Sequence, residues 1–206
     1  YSDVTGGKIR CFGEPYWEHV QNLTTDNMLG INVLNIEENP LGLTPELCWL
    51  LGRYVADGHC RHYKRKHRKN SYQYQVIFSI GDKKLDDFKN HVKSFHLTVV
   101  KHSQSTYRCI INSQELVEFI ETYAFGQGAI NKQIPPIILN LPNELLNNFL
   151  DGYYSGDGYS NKSDTVCSTI SKKLALGLCL AIPKARHINA TLHIDDRGDT
   201  RIIEGR

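Results

Sequence analysis

The sequence LLGRYVADG at Leu50–Gly58 is the most informative about the fold, because a related sequence, LDGYYSGDG, follows 100 residues later at Leu150–Gly158. Five of the nine positions are identical between the two copies. A shorter repeat follows each copy, with Lys-Lys-Leu at Lys83–Leu85 and again at Lys172–Leu174. Two repeats in the same order indicate a duplicated module.

Each copy is predicted to fold as a helix, strands, a second helix and further strands. In the first copy, Thr44 can cap a helix with Pro45 at its first position, and Gly58 can end that helix as its C′ residue. The later residue patterns predict a strand over 73–80, a helix over 83–95, a hairpin of 97–100 with 107–111, and a helix over 114–123.

The second copy has the same order but fewer elements. Asn143 is expected to cap its motif helix, which runs over 144–156. The following segments predict a strand over 165–169, a helix over 172–182, and a hairpin of 188–194 with 200–203. Because no counterpart of the helix over 114–123 follows, we expect the second module to be truncated.

The composition is that of a folded globular chain. It has 206 residues, of which 40% are hydrophobic and 22% charged, which excludes a disordered or fibrous protein. No apolar run is long enough for a membrane helix and no secretory leader opens the chain, so we expect an intracellular protein that is not secreted, located in the cytoplasm or with the genome. The six cysteines are never closer than twelve residues, which favours free thiols in a reducing compartment over a zinc site.

Asp57 and Asp157 are the candidate metal ligands. Each lies in the last turn of a predicted helix, where the helix dipole disfavours a carboxylate. Asp-Gly is also ordinary turn chemistry, but two such carboxylates at equivalent points of a duplicated module favour a bound cation. Oxygen ligands without His or Cys suit Mg²⁺.

Two glycines predict how the motif helices meet. Gly52 and Gly152 lie in the middle of the helices, where each costs about 1 kcal/mol relative to Ala. Small residues let two helix backbones approach closely, so we expect the motif helices to pack on each other. That packing would bring Asp57 and Asp157 together, and their mutual repulsion would strengthen the need for a cation.

A basic tract begins three residues after Gly58. A run of charges is often only a solvated surface. Here its position between a helix and a strand favours a phosphate-binding loop or a β-ribbon that enters a DNA groove. Tyr63, Tyr72 and Tyr74 could add contacts to sugars or bases, with a weaker basic counterpart in the second module. The predicted DNA contacts are Arg61, Lys64, Arg65, Lys66, Arg68, Lys69, Tyr72, Tyr74 and Lys162.

The paired motifs resemble those of LAGLIDADG homing endonucleases. The resemblance covers residues 41–206 and implies an α+β fold of two pseudo-two-fold α-β-β-α-β-β modules, at 41–139 and 140–206, packed through the motif helices. Each module would present an antiparallel sheet to DNA. Arg53 and Asp151 replace apolar residues of the name sequence, at positions expected to be exposed.

Two further segments resemble intein-borne members of this family. Lys132–Pro135 (KQIP) is similar to the Lys-x-Ile-Pro block between the motifs, whose lysine is associated with the active site. The segment WEHVQNLTTD at 17–26 resembles the end of a splicing region, so residues 1–40 are interpreted as an amino-terminal splicing segment. No splicing nucleophile stands at Tyr1 and no His-Asn pair at Arg206, so we do not expect these residues to splice.

The resemblance implies a monomer that makes a staggered double-strand break in a long, nearly asymmetric DNA duplex. Asp57 and Asp157 would hold two or three Mg²⁺ ions, for which Mn²⁺ could substitute, with backbone carbonyls near Ala56 and Gly156. Lys132 would stabilise charge on the phosphate or help to activate water.

Two alternatives remain open at this point. One is a nucleic-acid binder of the same fold that does not cleave, such as a maturase or a DNA-binding regulator. The other is a degenerate intein fragment. The presence of both aspartates favours the nuclease.

Overall fold

The computed structural model describes residues 2–5, 8–11, 19–22, 24, 36–64, 72–160 and 165–193. It divides the chain into two compact units, Tyr1–Val33 and Leu34–Arg206. In the first unit, strand β1 (Ser2–Thr5) pairs antiparallel with strand β2 (Lys8–Cys11). Half of the segment interpreted as the end of a splicing region, residues 17, 18, 23, 25 and 26, lies outside the described residues.

The first helix of the second unit is the first motif helix, α1 (Pro45–Asp57). The Thr44 hydroxyl accepts a hydrogen bond from the Leu47 amide at 3.2 Å, which confirms the predicted cap. The prediction for Gly58 was wrong in one respect, because its φ of −79° is extended rather than left-handed. Glycine is needed for space instead, since a Cβ there would lie 2.7 Å from the Tyr54 Cα.

Four strands and two helices complete the first module. In chain order they are β3 (His59–Lys64), β4 (Tyr72–Gly81), α2 (Asp82–His91), β5 (Leu97–Lys101), β6 (Thr106–Ile111) and α3 (Gln114–Thr122). The strands form one antiparallel sheet in the order β3-β4-β6-β5. The predicted helix over 83–95 was too long, because regular structure ends at His91.

The short helix α4 (Pro136–Leu139) leads into the second module. That module contains α5 (Asn143–Asp157), β7 (Gly158–Ser160), β8 (Thr165–Cys167) and α6 (Lys172–Arg186). Asn143 is the first residue of α5 and Pro142 its N-cap, so the predicted Asn143 cap was wrong. The predicted strand over 165–169 ends at Cys167, and α6 continues beyond residue 182 to Arg186. Residues 188–193 are not a strand, and 194–206 lie outside the described part.

The fold is α+β, with antiparallel sheets joined to a pair of central helices. Helices α1 and α5 supply the middle of the core, through fully buried residues such as Leu51 and Phe149. The sheet contributes Phe78 and Cys109 from one face. Cys48, Cys60, Cys109, Cys167 and Cys179 are free thiols, as expected. Among the described helices, none has the length and hydrophobicity to cross a membrane.

Candidate active site and nucleic-acid interface

The two motif helices pack backbone against backbone at their glycines. A Cβ at Gly52 would lie 1.8 Å from the Phe149 carbonyl oxygen, and a Cβ at Gly152 would lie 1.9 Å from the Trp49 carbonyl oxygen. No side chain larger than hydrogen fits either position without moving a helix. The packing predicted from the sequence is therefore present, and it sets the register between α1 and α5.

This register places Asp57 and Asp157 at equivalent ends of the helix pair, since each is the last residue of its helix. Burial raises the pKa of Asp57 to about 6, the charge of Arg53 opposes the rise, and the charge of Asp157 adds to it. Burial also raises the pKa of Asp157, against the opposing charges of Arg53 and Lys132. The two carboxylates are thus near enough to interact electrostatically.

The donor set of this site fits a hard divalent cation. Two carboxylates converge where two helices end, and the last carbonyls of a helix have no partner within it. Ala56 and Gly156 face each other at this point, since a Cβ at Gly156 would lie 2.5 Å from the Ala56 Cβ. No cluster of three or more His, Cys, Asp or Glu residues occurs in the described ranges, so protein ligands alone would leave coordination positions open to water or phosphate.

Lys132 lies beneath the end of α1. Its side chain is buried, with the residue only 3% exposed, and Nζ donates to the carbonyl oxygens of Tyr54 at 2.6 Å and Gly58 at 2.8 Å. Nζ also lies 3.2 Å from the centroid of the Tyr54 ring. Burial lowers the pKa of Lys132 to about 7, although the charges of Cys60 and both aspartates oppose the change. The lysine therefore holds the backbone on both sides of Asp57.

Arg53 is the residue that the sequence interpretation placed wrongly. It was expected to be exposed, but it is 4% exposed and donates from Nη2 to the Asp57 Oδ2 at 2.7 Å. The space beside Gly156 lets the guanidinium reach the second helix. By contrast, Asp151 is exposed as expected and pairs with Arg186 at 2.6 Å.

Lys84 was noticed only as part of the Lys-Lys-Leu repeat. Its Nζ donates to the Ser155 carbonyl oxygen at 2.8 Å, which fixes it near the end of α5. Its charge lowers the pKa of both Asp57 and Asp157. The repeat that indicated duplication thus also supplies a cation to the site.

One face of the sheet packs on the core. The other face, called the open face, is exposed at Arg61 and Tyr63, although Gln75 and Ile77 on the same face are buried. Pairing of Arg61 with Gln75 and of Tyr63 with Gln73 places these four side chains on the face opposite Phe78 and the core. The Arg61 guanidinium stacks on the Tyr63 ring, with Cζ 4.6 Å from the ring centroid. This open face carries polar and cationic groups that suit a nucleic acid.

The register distributes the predicted DNA contacts over both faces of the β3–β4 ribbon. Lys64 pairs with Tyr72 and His62 with Tyr74, so these side chains lie on the face opposite Arg61. Tyr74 is partly buried and packs against the core. The predicted contacts that lie outside the described residues are Arg65, Lys66, Arg68, Lys69 and Lys162.

A hydrogen-bond network that the sequence interpretation missed lies on the open face. The Tyr63 hydroxyl donates to the Gln73 Oε1 at 2.8 Å, and the side-chain amides of Gln73 and Gln75 both donate to the Asn112 Oδ1 at 3.0 Å. Asn and Gln amides read adenine edges in the major groove. The alternation in QYQVIFSI at 73–80 could have identified both glutamines, because the apolar residues of the core face occupy the intervening positions.

The sequence is similar to segments of replication proteins, although no family model matches it. It is 31% identical over 176 residues to the replication factor C small subunit of Methanocaldococcus jannaschii, covering 82% of this chain and 9% of that protein. It is 32% identical over 143 residues to a DNA polymerase of Thermococcus kodakarensis, covering 66% of this chain and 8% of the polymerase. The chain thus spans less than a tenth of the length of these curated relatives.

Solved structures of homing endonucleases have a similar fold. I-DmoI in complex with DNA and Mn matches with a TM-score of 0.54 and 16% identity, covering 75% of this chain and 84% of that one. A mesophilic variant of the homing endonuclease I-DmoI matches with a TM-score of 0.55 at the same identity and covers 79% of that chain. These matches establish that the chain has the homing-endonuclease fold.

Proposed function

We propose that the protein is a site-specific homing endonuclease that makes a divalent-metal-dependent, staggered double-strand break in a long, nearly asymmetric DNA duplex. The observation that carries the proposal is the convergence of Asp57 and Asp157 at equivalent ends of two helices in backbone contact. A purely structural helix pair would gain nothing from two mutually repelling carboxylates there.

The solved structures that share this fold support the choice of substrate and ion. I-DmoI has been crystallised with DNA and Mn, with DNA and Ca, and, as a single-residue variant, with its target DNA in the presence of Mg. We infer that this chain binds double-stranded DNA as a monomer with pseudo-two-fold symmetry. We expect two or three Mg²⁺ ions, with Mn²⁺ as a substitute, between Asp57, Asp157 and the carbonyls near Ala56 and Gly156.

The bound ions would supply hydroxide at neutral pH and stabilise charge on the scissile phosphate. The residues of this chain prepare the site for them. Asp57 and Asp157 would supply carboxylate oxygens at the helix ends, and Lys132 fixes the Tyr54 and Gly58 carbonyls, which flank Asp57 in the chain. Because Lys132 has a pKa of about 7, its amine can lose or gain a proton near neutral pH. That Lys132 contacts the phosphate or the attacking water directly stays a prediction.

DNA recognition would divide between phosphate and base contacts. Arg61 and the basic tract that follows it would neutralise phosphates, which gives affinity without sequence preference. Gln73 and Asn112 would read base edges, because the amide network holds them in fixed orientations. Gln75 is buried, so it would act by holding Asn112 in place. The other face of the β3–β4 ribbon carries Lys64, Tyr72 and Tyr74. These side chains would contact DNA only if the DNA extended around the edge of the ribbon.

The intein association is also a proposal. The two matched replication proteins are more than ten times longer than the segment they share with this chain. A shared segment of this kind suits a mobile element carried within a host protein. The Lys132–Pro135 block supports the same interpretation.

A second candidate is a DNA binder of this fold that does not cleave. The observation that favours it is the Arg53–Asp57 ion pair, because a protein cation occupies a carboxylate that catalysis would need for metal. The retention of both aspartates, Lys132 and Lys84 around the site favours the nuclease.

Selection from a randomised duplex pool tests the proposal. The protein is incubated with the pool in Mg²⁺ and in EDTA, and cleaved and bound duplexes are sequenced separately. The nuclease predicts recovery of one long asymmetric cleaved site in Mg²⁺ alone. Enrichment of bound duplexes without cleaved ends in either condition would identify the non-cleaving binder.

A further inference from the structure

Arg53 is a buried cation between the two motif helices. Its side chain is 5% exposed, and Nη2 donates to the Asp57 Oδ2 at 2.7 Å. On its other side it reaches the second helix, since a Cβ at Gly156 would lie 2.5 Å from Nη1. The guanidinium therefore lies between the carboxylate of one module, to which it is bonded, and the backbone next to Asp157 in the other, which it approaches without a hydrogen bond.

The hydrogen bonding of this guanidinium is incomplete. Nε and Nη1 are buried and have no hydrogen-bond partner within the described part of the chain. Unpaired buried N–H groups cost free energy, so a residue selected for packing alone would be apolar here. The equivalent position of the second module is Tyr153, which is fully buried and uncharged. The asymmetry indicates that the charge of Arg53 itself has a role.

That charge is placed to neutralise the carboxylate pair. Arg53, Lys132 and Lys84 all lower the pKa of both Asp57 and Asp157. Arg53 and Lys84 alone would balance the two negative charges. An arginine cannot lose its proton in a protein, so its charge is a fixed feature of the site. Any divalent cation that enters has to overcome this charge.

We propose that Arg53 is a built-in counter-ion, which holds the Asp57 carboxylate in the metal-free protein and weakens the binding of divalent cations to the Asp57–Asp157 site. The inference rests on the proposed function, because it assumes that the carboxylate pair binds metal. It adds a determinant of metal affinity that lies outside the ligand set. Incoming DNA phosphates would offset the charge of Arg53, so tight metal binding would be favoured on DNA.

Direct titration with Mn²⁺ in the absence of DNA tests the inference. The free ion is followed by its electron paramagnetic resonance signal at pH 8, for the parent and for the neutral variants Arg53→Met and Arg53→Gln. We expect both variants to bind Mn²⁺ on the order of tenfold more tightly than the parent, because a fixed positive charge has been removed. Arg53→Gln keeps an amide donor for Asp57, whereas Arg53→Met does not. The two variants therefore differ in how they can fail to fold, and either one is sufficient for the test.

Two control variants separate charge from other effects. Arg53→Lys keeps the charge and should bind Mn²⁺ like the parent. Arg186→Met removes the Arg186–Asp151 ion pair on the exposed side of α5 and should also leave the affinity unchanged. In EDTA, the neutral Arg53 variants should melt at a lower temperature than the parent, and Mn²⁺ should restore more stability to them than to the parent.

The outcomes distinguish the inference from the proposed function. Mn²⁺ affinities of the neutral variants that equal or fall below the parental value would overturn the counter-ion role while leaving the metal site intact. Neutral variants that melt at or above the parental temperature in EDTA would also overturn it. If neither the parent nor any variant binds Mn²⁺, either alone or when the titration is repeated with the selected duplex, the proposed metal site itself is wrong.

Discussion

Replacing Gly152 with alanine tests whether the motif helices approach as closely as the structure shows. In a free helix, alanine is more favourable than glycine by about 1 kcal/mol. Here the new Cβ would lie 1.9 Å from the Trp49 carbonyl oxygen and 2.8 Å from its carbonyl carbon. Both atoms belong to the backbone of α1, so no side-chain rotation relieves the clash. The prediction is therefore opposite in sign to the helix propensity.

The size of the effect follows from that geometry. A carbon–oxygen contact needs about 3.3 Å, so the helices must separate by roughly 1.4 Å at this point. Overpacking of a core costs about 1–3 kcal/mol and sometimes more, and here the separation loosens the contact between two central helices. We expect a net loss of about 3 kcal/mol, which in a chain of this length lowers the melting temperature by about 6–12 °C.

Thermal unfolding followed by circular dichroism measures the change. Gly177→Ala is the matched control, because the three atoms nearest to its Cβ would be side-chain atoms of Ile134, the first at 3.2 Å. That variant should melt within a few degrees of the parent. A Gly152→Ala protein that is as stable as the parent would refute the close approach of the helices, and with it the register that brings Asp57 and Asp157 together.

Three further predictions concern the lysine, the phosphate contacts and the base contacts. Because the pKa of Lys132 is lowered to about 7, this lysine is neutral in the folded protein and protonated in the unfolded chain between about pH 7 and 10. Over that range the free energy of unfolding of the parent should rise by about 1.4 kcal/mol per pH unit relative to that of Lys132→Met. Urea unfolding of both proteins at pH 7 and 9 measures this, and a difference between them that is the same at both pH values would contradict it. Arg61→Ala should weaken binding to all duplexes and reduce the salt slope by about 1, whereas a loss confined to one base position would contradict the phosphate contact. Asn112→Ala should relax base preference without changing the salt slope, as judged by sequencing bound duplexes from a randomised pool.

The sequence predicted those parts of the fold that depend on local pattern and repetition. Three such features were predicted correctly: the cap at Thr44, the close glycines, and the equivalence of Asp57 and Asp157. Each depends on a residue type at a known point of a helix. The cap at Asn143 was not, since Pro142 can also begin a helix and no pattern in one chain decides between neighbouring positions.

The errors in the site have a common cause. They concern which distant residues a side chain reaches in the folded protein, and the sequence does not give that. Arg53 was assigned to the surface because the resembling motifs tolerate such replacements at exposed helix positions, and only the packed helices show that it reaches Asp57. Lys132 lies 78 residues from Tyr54 in the chain, so no spacing could indicate that its amine binds that carbonyl. The two faces of the β3–β4 ribbon were predictable in principle, because residues alternate along a strand.

The most direct test of the central claim is cleavage of the selected duplex by variants of three aspartates. Asp57→Asn and Asp157→Asn should each reduce the Mg²⁺-dependent rate by at least about 100-fold, because each removes a proposed metal ligand. Asp151→Asn is the matched control, since Asp151 belongs to the same helix as Asp157 but is exposed and pairs with Arg186. It should cleave at the parental rate. Cleavage that survives the loss of Asp57 or Asp157, or that falls equally with Asp151→Asn, would contradict the account.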